Sequence, residues 1–342
     1  MLCVTLIFNC FLHKKITVVG EENIPKKGAI LFIGNHQNAL IDAILIPTTT
    51  KREIHFLTRA SAFSTKLVTK FLKSLNMIPV YRIRDGMHTI ERNVAVFEQC
   101  FEILKDEKAI EIFAEGAHHL KRQILPLKKG FARIILGTLQ KYPELEIQIV
   151  PIGINYDSHL NFPSSVSIHY GKPILANNFI DIENPDIRFS SIINEVTSAL
   201  KKLTLHVEDN DNYDEIIQKL ENNNIDYTSP IEANNLLKSI NKTSKETTPK
   251  KSTINWFTPI HLLAKLNSLI PLLIWKKLKL SITDIVFTNT YRFAIITTLI
   301  PFFYIIQASI IYSLFSLKYA LIYLVCSIIL GIITTKTMTI NQ

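Results

Sequence analysis

Cysteine and glycine are both scarce in this chain of 342 residues, which contains four cysteines and ten glycines. The cysteines show no metal-ligand spacing, and we interpret them as structural or incidental thiols that suit a reducing cytoplasm. Adjacent His118 and His119 do not supply a metal site, because neighbouring side chains point to different sides of a strand or helix and no third ligand cluster accompanies them. The sequence therefore predicts no metal and no cofactor.

Signatures of nucleic-acid binding are also missing, although the net charge is +9. There is no arginine-rich stripe, zinc-ligand spacing or recognition-helix pattern, so nucleic acid is not a predicted partner. A basic surface attracts other anions as well. The partners that we expect are the lipid bilayer with its charged headgroups, a phosphorylated acceptor and a phosphate-bearing thioester carrier.

His36 and Asp42 lie in the stretch Gly34–Asp42, directly after the apolar run Ala29–Ile33. A neutral imidazole is a good general base near pH 7, and a carboxylate on its other nitrogen fixes the tautomer and stabilises the cation that forms. Such a pair can remove a proton from an alcohol. The plain alternative is an ordinary strand-to-helix turn with a surface histidine.

Three further blocks follow, each at the end of an apolar, strand-like run. Met77–Arg82 ends in arginine, and Ile110–Gly116 ends in a carboxylate and a glycine that permits a sharp turn. Ile149–Tyr156 carries an internal proline. Taken singly, an arginine after a strand is usually a solvated rim residue and Glu-Gly is usually a turn, but four blocks in this order favour a shared site.

With these blocks in this order, the sequence resembles the glycerolipid acyltransferases that esterify glycerol-3-phosphate and 1-acylglycerol-3-phosphate. The matching positions are Asn35, His36 and Asp42 in the first block, Arg82 in the second, Phe113–His119 in the third and Val150–Pro151 in the fourth. Gly20–Pro25 and Leu127–Ala132 also look similar to family members. The resemblance covers roughly residues 15 to 205.

The resemblance implies direct transfer of an acyl group from a thioester, either acyl-CoA or acyl carrier protein, to a hydroxyl. His36 would take the hydroxyl proton, and Asp42 would orient and stabilise His36. The residues expected to bind substrate are Asn35, Arg82, Glu115, Gly116, Lys128 and Lys129. Among these, the arginine and the lysines would hold the acceptor's phosphate by charge-assisted hydrogen bonds. The plain alternative for the two lysines is a solvated basic helix start.

Two departures from the family pattern bear on this interpretation. Five residues separate His36 from Asp42 where four are usual, and a six-residue step on a regular helix turns the side chain about 240° away. The two groups can therefore meet only if the chain turns before the helix begins. In the third block, Ala117-His118-His119 replaces Thr-Arg-Ser, so a guanidinium that could grip a phosphate is missing. This second departure bears on the acceptor more than on the reaction type.

Alternating strands and helices predict an α/β acyltransferase domain over residues 15–206, with a mixed sheet flanked by helices. The predicted strands are 29–34, 54–58, 77–82, 109–114, 147–155 and 166–171. The predicted helices are 38–48, 61–75, 87–105, 129–141 and 187–206. The candidate residues lie at strand ends, where open α/β sheets bind ligands.

The remaining segments differ in composition. Residues 207–253 are polar and predict helices near 213–223 and 231–240, followed by a linker at 241–253. Residues 254–342 predict a hydrophobic helical membrane anchor. Its apolar runs Phe293–Leu317 and Tyr319–Thr335 form a hairpin in this interpretation, with Lys318 in the turn. A buried helical pair packed on the domain is the alternative.

Two shorter apolar segments complete the predicted membrane region. Residues 261–275 are typical of an interfacial or re-entrant helix broken at Pro271. Residues 1–14 are apolar but too short to span, and we expect them to contact the membrane surface. Basic residues on both sides of the hairpin predict that both ends face the cytoplasm, at the inner (cytoplasmic) membrane.

The sequence leaves three functions open. The first is acyl transfer to glycerol-3-phosphate or its 1-acyl derivative in phospholipid synthesis. The second keeps the reaction but uses another lysolipid or an amino-acid lipid, and the altered third block is its support. The third is a non-catalytic, lipid-binding scaffold that retains the fold.

Overall fold

The computed structural model describes residues 2–81, 89–240 and 255–339, and an eight-stranded mixed sheet forms its centre. In chain order the strands are β1 (His13–Val19), β2 (Ala29–Gly34), β3 (Ile54–Arg59), β4 (Met77–Val80), β5 (Ala109–Ile112), β6 (Ile147–Tyr156), β7 (Ser164–Tyr170) and β8 (Ile174–Leu175). Their spatial order is β1-β7-β6-β2-β5-β3-β4, with β8 beside β6. Among the described residues, the pairs β6–β7 and β6–β8 are antiparallel, and the other pairs of strands are parallel. The predicted mixed α/β architecture is confirmed.

Strand β2 shows why this sheet is covered on both faces. All six of its residues are buried. Because successive side chains of a strand point to opposite faces, Leu31 and Ile33 enter one hydrophobic cluster while Ile30 and Phe32 enter another. Parallel strands buried on both faces carry continuous apolar runs, which is why the sequence signal for β2 is strong.

Helices cover the two faces. They are α1 (Leu2–Ile7), α2 (Leu40–Leu45), α3 (Lys66–Ser74), α4 (Thr89–Lys105), α5 (Gly130–Lys141), α6 (Pro185–Leu203), α7 (Tyr213–Asn222) and α8 (Pro230–Ile240). Helices α4, α5 and α6 bury their apolar stripes in the first cluster, where Cys100 is fully buried as expected of a structural thiol. Each predicted helix of the domain is present, although α3 begins five residues later than predicted.

Residues 2–19 form a short helix, a π-helical turn and an edge strand of the domain, and the membrane contact expected for residues 1–14 stays a prediction. Helix α1 continues as a π-helical turn, Phe8–Leu12, and Phe8 and Leu12 are buried in the second cluster. The chain then forms β1, an unpredicted edge strand parallel to β7. β1 contains two lysines and several partly exposed residues, so it lacks the continuous apolar run of a buried strand. An edge strand does not need such a run, and β1 is therefore not recognised from the sequence pattern.

The polar segment after residue 206 packs on the domain. Helices α7 and α8 enclose a small cluster made of Leu205, Val207, Tyr213, Leu220, Tyr227 and Ala233. The Asn234 amide donates to the Thr204 carbonyl at 2.9 Å, and the Ser167 hydroxyl donates to the Thr228 carbonyl at 2.6 Å. Both predicted helices are present. The linker predicted at 241–253 lies outside the described residues.

The C-terminal region contains α9 (Thr258–Asn267), α10 (Leu269–Leu280), α11 (Thr288–Ala294), α12 (Ile300–Leu314) and α13 (Leu317–Thr337). The helical run Ile285–Leu314, 30 residues long, and α13 with 21 residues are long and apolar enough to cross a membrane. They pack against each other as a hairpin. The turn falls at residues 315–316, so Lys318 already belongs to α13.

Helices α9 and α10 form the predicted broken helix, but the break is not at Pro271. The two axes meet at 84° on either side of Ser268. Pro271 is the third residue of α10, where a missing N–H costs no intrahelical hydrogen bond, so proline is tolerated there. The Ser268 hydroxyl is hydrogen-bonded to the Tyr304 hydroxyl of α12 at 2.6 Å, which holds the bend against the hairpin.

Candidate active site

The first block forms a tight loop between β2 and α2. Strand β2 ends at Gly34, α2 begins at Leu40, and Ala39 between them has φ 43° and ψ −125°. This turn brings Asp42, in the first turn of α2, back toward His36. The imidazole Nδ1–H donates to Asp42 Oδ2 at 3.0 Å. The chain thus turns before the helix begins, as the longer spacing requires.

Asp42 is fully buried and saturated with donors. Besides His36, its Oδ2 accepts from the backbone N–H groups of Gln37 at 2.8 Å and Asn38 at 2.7 Å. Its Oδ1 accepts from the Tyr156 hydroxyl at 2.8 Å. Burial, and next the charge of Asp42, raise the pKa of Tyr156 well above its ordinary value, so the phenol stays a donor. Sequence reasoning missed Tyr156, although it ends the fourth block.

The ring of His36 is held by aromatic contact as well as by Asp42. It stacks on Phe113 with centroids 4.1 Å apart and planes at 10°. Gly34 makes room for this, because a Cβ at that position would lie 3.1 Å from the Phe113 ring. With Nδ1 engaged by the carboxylate, Nε2 is the nitrogen that can act on a hydroxyl.

Glu115 of the third block is hydrogen-bonded to the loop of the first block that carries His36. It is buried, and its Oε1 accepts from the His36 backbone N–H at 3.3 Å. Its Oε2 accepts from His119 Nε2 at 2.9 Å, and the His119 backbone N–H donates to the His36 carbonyl at 3.3 Å. These contacts brace the loop that carries the imidazole. The acceptor-binding role expected for Glu115 stays a prediction.

Gly116 and Lys128 lie against each other beside this loop. Gly116 has φ +69°, and a Cβ there would lie 3.3 Å from the alkyl chain of Lys128. The Lys128 side chain is exposed, as is that of Lys129. Lys129 is 3.9 Å from the Asp186 carboxylate of α6, which agrees with a solvated helix start for this lysine. Substrate roles for the two lysines stay predictions.

The other two expected binding residues differ in what the structure says of them. Asn35 is buried, its amide donates to the Ile154 carbonyl at 3.0 Å, and its Oδ1 accepts from the Ile154 N–H at 2.7 Å. Its amide atoms therefore join the start of the His36 loop to β6, and the substrate-binding role expected for Asn35 stays a prediction. Arg82 lies outside the described residues.

His118, which stands where the family pattern has arginine, is next to the imidazole of His36. The two rings are 5.5 Å apart and perpendicular. His118 Nε2 donates to Asp284 Oδ2 at 3.0 Å, and its ring meets Phe287 edge-on at 5.1 Å. The hydrogen bond from His118 lowers the pKa of Asp284. The C-terminal region thus reaches the candidate site, which no local sequence pattern indicates.

Glu111 lies beneath the site on β5. It is fully buried, and neither carboxyl oxygen has a hydrogen-bond partner among the described residues. Burial, together with the nearby charge of Asp42, raises the pKa of Glu111 well above its ordinary value. The carboxyl group is therefore held in its neutral form next to the charged one.

These elements place the site at one edge of the sheet. The carboxyl ends of β2, β5 and β6 carry the His36 loop, the Glu115 loop and Tyr156 respectively. In the described part of the chain, no three His, Cys, Asp or Glu side chains are grouped so as to hold a metal ion. The fold and the site define an α/β protein in which a buried carboxylate orients a histidine ring, an arrangement suited to general-base action on a hydroxyl.

Comparison with known proteins gives this class a family. Residues 15–155 match the family model "Acyltransferase". The chain is 30% identical over 119 residues to glycerol-3-phosphate O-acyltransferase 1 of Saccharomyces cerevisiae, which covers 33% of this chain and 16% of that protein. It is 28% identical over 144 residues to a probable 1-acyl-sn-glycerol-3-phosphate acyltransferase of Mycoplasma pneumoniae, covering 41% and 49%.

A solved structure is also similar. It is the 1-acyl-sn-glycerophosphate acyltransferase PlsC from Thermotoga maritima, with a TM-score of 0.42 and 19% identity, covering 57% of this chain and 74% of that chain. The chain spans about half or less of the two curated relatives named above.

Proposed function

We propose that this chain is a membrane-bound O-acyltransferase of phospholipid biosynthesis. It moves a fatty acyl group from acyl-CoA or acyl carrier protein to a hydroxyl of glycerol-3-phosphate or 1-acylglycerol-3-phosphate. The observation that carries the proposal is the 3.0 Å hydrogen bond between His36 Nδ1 and a buried Asp42, inside a domain that matches the acyltransferase family.

The proposed reaction uses this geometry. Nε2 of His36 takes the proton of the acceptor hydroxyl as its oxygen attacks the thioester carbonyl. Asp42 stabilises the imidazolium that forms. The carbon–sulfur bond then breaks, and the departing thiolate takes the proton back from His36. One ester bond forms, one thioester bond is lost, and the imidazole returns to its starting state without a covalent acyl-enzyme.

Membrane attachment supports a lipid acceptor. The run Ile285–Leu314 and α13 are each long enough to cross a bilayer, and the first of them contacts the site through its leading residues. Lysines before the first helix and Lys336 after the second support a cytoplasmic active site, where a carrier-bound acyl donor is found.

A different acceptor is the second candidate. His118 is hydrogen-bonded to Asp284 at the position where the family pattern has a guanidinium. A short, paired imidazole cannot grip a phosphate in the bidentate way of arginine. This observation favours a lysolipid or amino-acid lipid whose headgroup carries less charge.

The test is thiol release by the full-length protein in mild detergent. Acyl-CoA and acyl carrier protein are offered as donors, with glycerol-3-phosphate, 1-acylglycerol-3-phosphate or a neutral lysolipid as acceptor. His36→Ala should abolish release, while the matched variant His55→Ala, on β3 away from the site, should retain it. Release only with the neutral lysolipid would select the second candidate. No release that depends on His36 with any pair would leave a non-catalytic scaffold.

A further inference from the structure

The segment from Asp284 to Arg292 packs on the loop that carries His36 and on a neighbouring loop. It begins the 30-residue helical run whose remainder is long enough to span, since a span needs about 20 residues. Its contacts reach two loops of the domain, the one after β2 and the one between β6 and β7. The start of this membrane helix is therefore part of the catalytic domain's surface.

Asn289 makes the central contacts of this segment. Its side chain is buried, and its amide nitrogen donates to Asn38 Oδ1 at 3.2 Å and to the His159 carbonyl at 2.8 Å. The Arg292 guanidinium donates to Asn289 Oδ1 and, at 3.1 Å, to the Leu160 carbonyl. The amide nitrogen of Asn289 thus faces two acceptor oxygens, and its oxygen faces the Arg292 guanidinium. These contacts fix the orientation of the amide.

Both contacts of Asn289 lead to Asp42. The backbone N–H of Asn38 donates to the carboxylate at 2.7 Å. On the other branch, His159 Nε2 donates to Gln37 Oε1 at 3.0 Å, and the backbone N–H of Gln37 donates to the same carboxylate oxygen at 2.8 Å. One buried amide at the start of this helix thus contacts Asn38 directly and reaches Gln37 through His159, and these are the two residues whose N–H groups hold Asp42.

We propose that Asn289 is a positioning residue for acyl transfer, through which the docked membrane helix holds Asp42 on His36. The expected fall in kcat rests on the proposed function. The expected change in the contact between Asp42 and His36 rests on the hydrogen bonds alone. Loss of the two donated hydrogen bonds would let the loop from His36 to Asp42 relax, and a displacement of about 1 Å in such a site can cost about a hundredfold in rate.

A contact elsewhere in the same region provides the matched control. Lys336 near the end of α13 donates to the carbonyls of His13 and Lys14 at 3.1 and 2.9 Å. This contact also docks the C-terminal region on the domain, but at β1 and not at the catalytic loops. If Asn289 acted only by docking, Lys336→Met would have the same consequences.

The experiment compares Asn289→Asp, Asn289→Ala and Lys336→Met in the full chain. Aspartate keeps the size of asparagine and its acceptor for Arg292 but removes both donors. We expect kcat to fall at least tenfold in both Asn289 variants, with KM for donor and acceptor within twofold of the parent. Lys336→Met should keep the parental kcat, with all rates measured below the melting temperature of every variant.

Nitrogen NMR of the His36 ring gives a readout that does not need activity. In the parent and in Lys336→Met, we expect the tautomer protonated on Nδ1, as the Asp42 contact requires. In Asn289→Asp the signals should shift toward a mixture of tautomers. Unchanged kcat and tautomer in both Asn289 variants, or an equal loss in Lys336→Met, would overturn the proposal. Absent acyl transfer in the parent would refute the proposed function, and the ring spectra would still decide the role of Asn289.

Discussion

Tyr156 is the residue whose removal tests how strongly the buried carboxylate depends on its donors. Tyr156→Phe leaves Asp42 Oδ1 without its partner. A buried acceptor left unsatisfied costs about 1–3 kcal/mol, so the free energy of unfolding should fall by that amount. We also expect kcat to fall about tenfold, because a less firmly held Asp42 orients His36 less well and a barrier raised by about 1.4 kcal/mol slows the reaction tenfold.

Tyr170→Phe is the control for that variant. Tyr170 is also buried, and its hydroxyl is bonded to the Thr49 hydroxyl at 2.7 Å, away from the site. Urea unfolding and initial rates of thiol release should show a stability loss in both variants and a rate loss only in Tyr156→Phe. Equal rates in the two would mean that the phenol serves stability alone.

Glu111 should make stability depend on pH. Its pKa is raised in the folded protein above the ordinary value of 4.5, so above that pH the unfolded chain loses the proton first. The folded state therefore loses stability as pH rises, by up to about 1.4 kcal/mol per pH unit for one such group. Glu111→Gln has no proton to lose and should be more stable than the parent at pH 7, with the advantage shrinking toward pH 4.5. Denaturant titrations at both pH values measure this, and an advantage that does not change with pH would contradict it.

Ala39 has a backbone conformation that a side chain disfavours. Its φ of 43° with ψ −125° suits glycine, and strain of this kind costs about 1–3 kcal/mol. We expect Ala39→Gly to raise the free energy of unfolding by about 1 kcal/mol after the loss of the methyl contact. Thermal unfolding measures it, and a lower melting temperature would show that the loop is held without strain.

At the scale of elements, the close approach of β6 to the end of α6 allows a further test. A Cβ on Gly153 would lie 2.1 Å from the Leu203 carbonyl oxygen, so strand and helix would have to separate. We expect Gly153→Ala to cost about 3 kcal/mol of stability. Gly130→Ala, at the start of α5 with open space around it, is the matched substitution and should be neutral or slightly stabilising. Comparable losses in both would rule out the packing argument.

Elements with a local signal were predictable. β2 is a continuous apolar run, β6 is interrupted only by Gln148 and Asn155 among its larger side chains, and the helix pattern of α4 spans several turns, so all three elements can be read from the sequence pattern. β1 was not predictable, because it depends on pairing with β7, some 150 residues later. The predicted position of the bend, Pro271, was wrong, because Pro271 lies in the first turn of α10, where proline does not break a helix.

The same distinction applies to the site. His36 and Asp42 are six residues apart, and the motif that contains them is visible in the sequence. Tyr156 and Asn289 reach the same carboxylate or its loop from 114 and 251 residues away. A single sequence carries no signal for contacts of that separation, since tyrosine and asparagine are common residues and only the folded chain brings them together.

At the scale of the whole molecule, the orientation in the membrane can be tested by labelling. If both ends of the hairpin face the cytoplasm, the short turn at residues 315–316 lies on the opposite side. Lys318→Cys should then react with an impermeant maleimide in intact cells, whereas Lys128→Cys should react only after lysis. The unmodified chain gives the background from its native cysteines. The reverse pattern would invert the topology.

If the helical run Ile285–Leu314 crosses a bilayer, its length sets the height of the His36 loop above the hydrocarbon. Twenty residues suffice to cross the hydrocarbon, and the last twenty of Ile285–Leu314 begin at Ile295, six residues beyond Asn289. At 1.5 Å per residue this is a rise of about 9 Å, close to the depth of a headgroup layer. A lysolipid could therefore present its hydroxyl to His36 while its hydrocarbon tail stays in the bilayer. The enzyme would then acylate its substrate at a fixed distance from the hydrocarbon, without extracting it from the membrane.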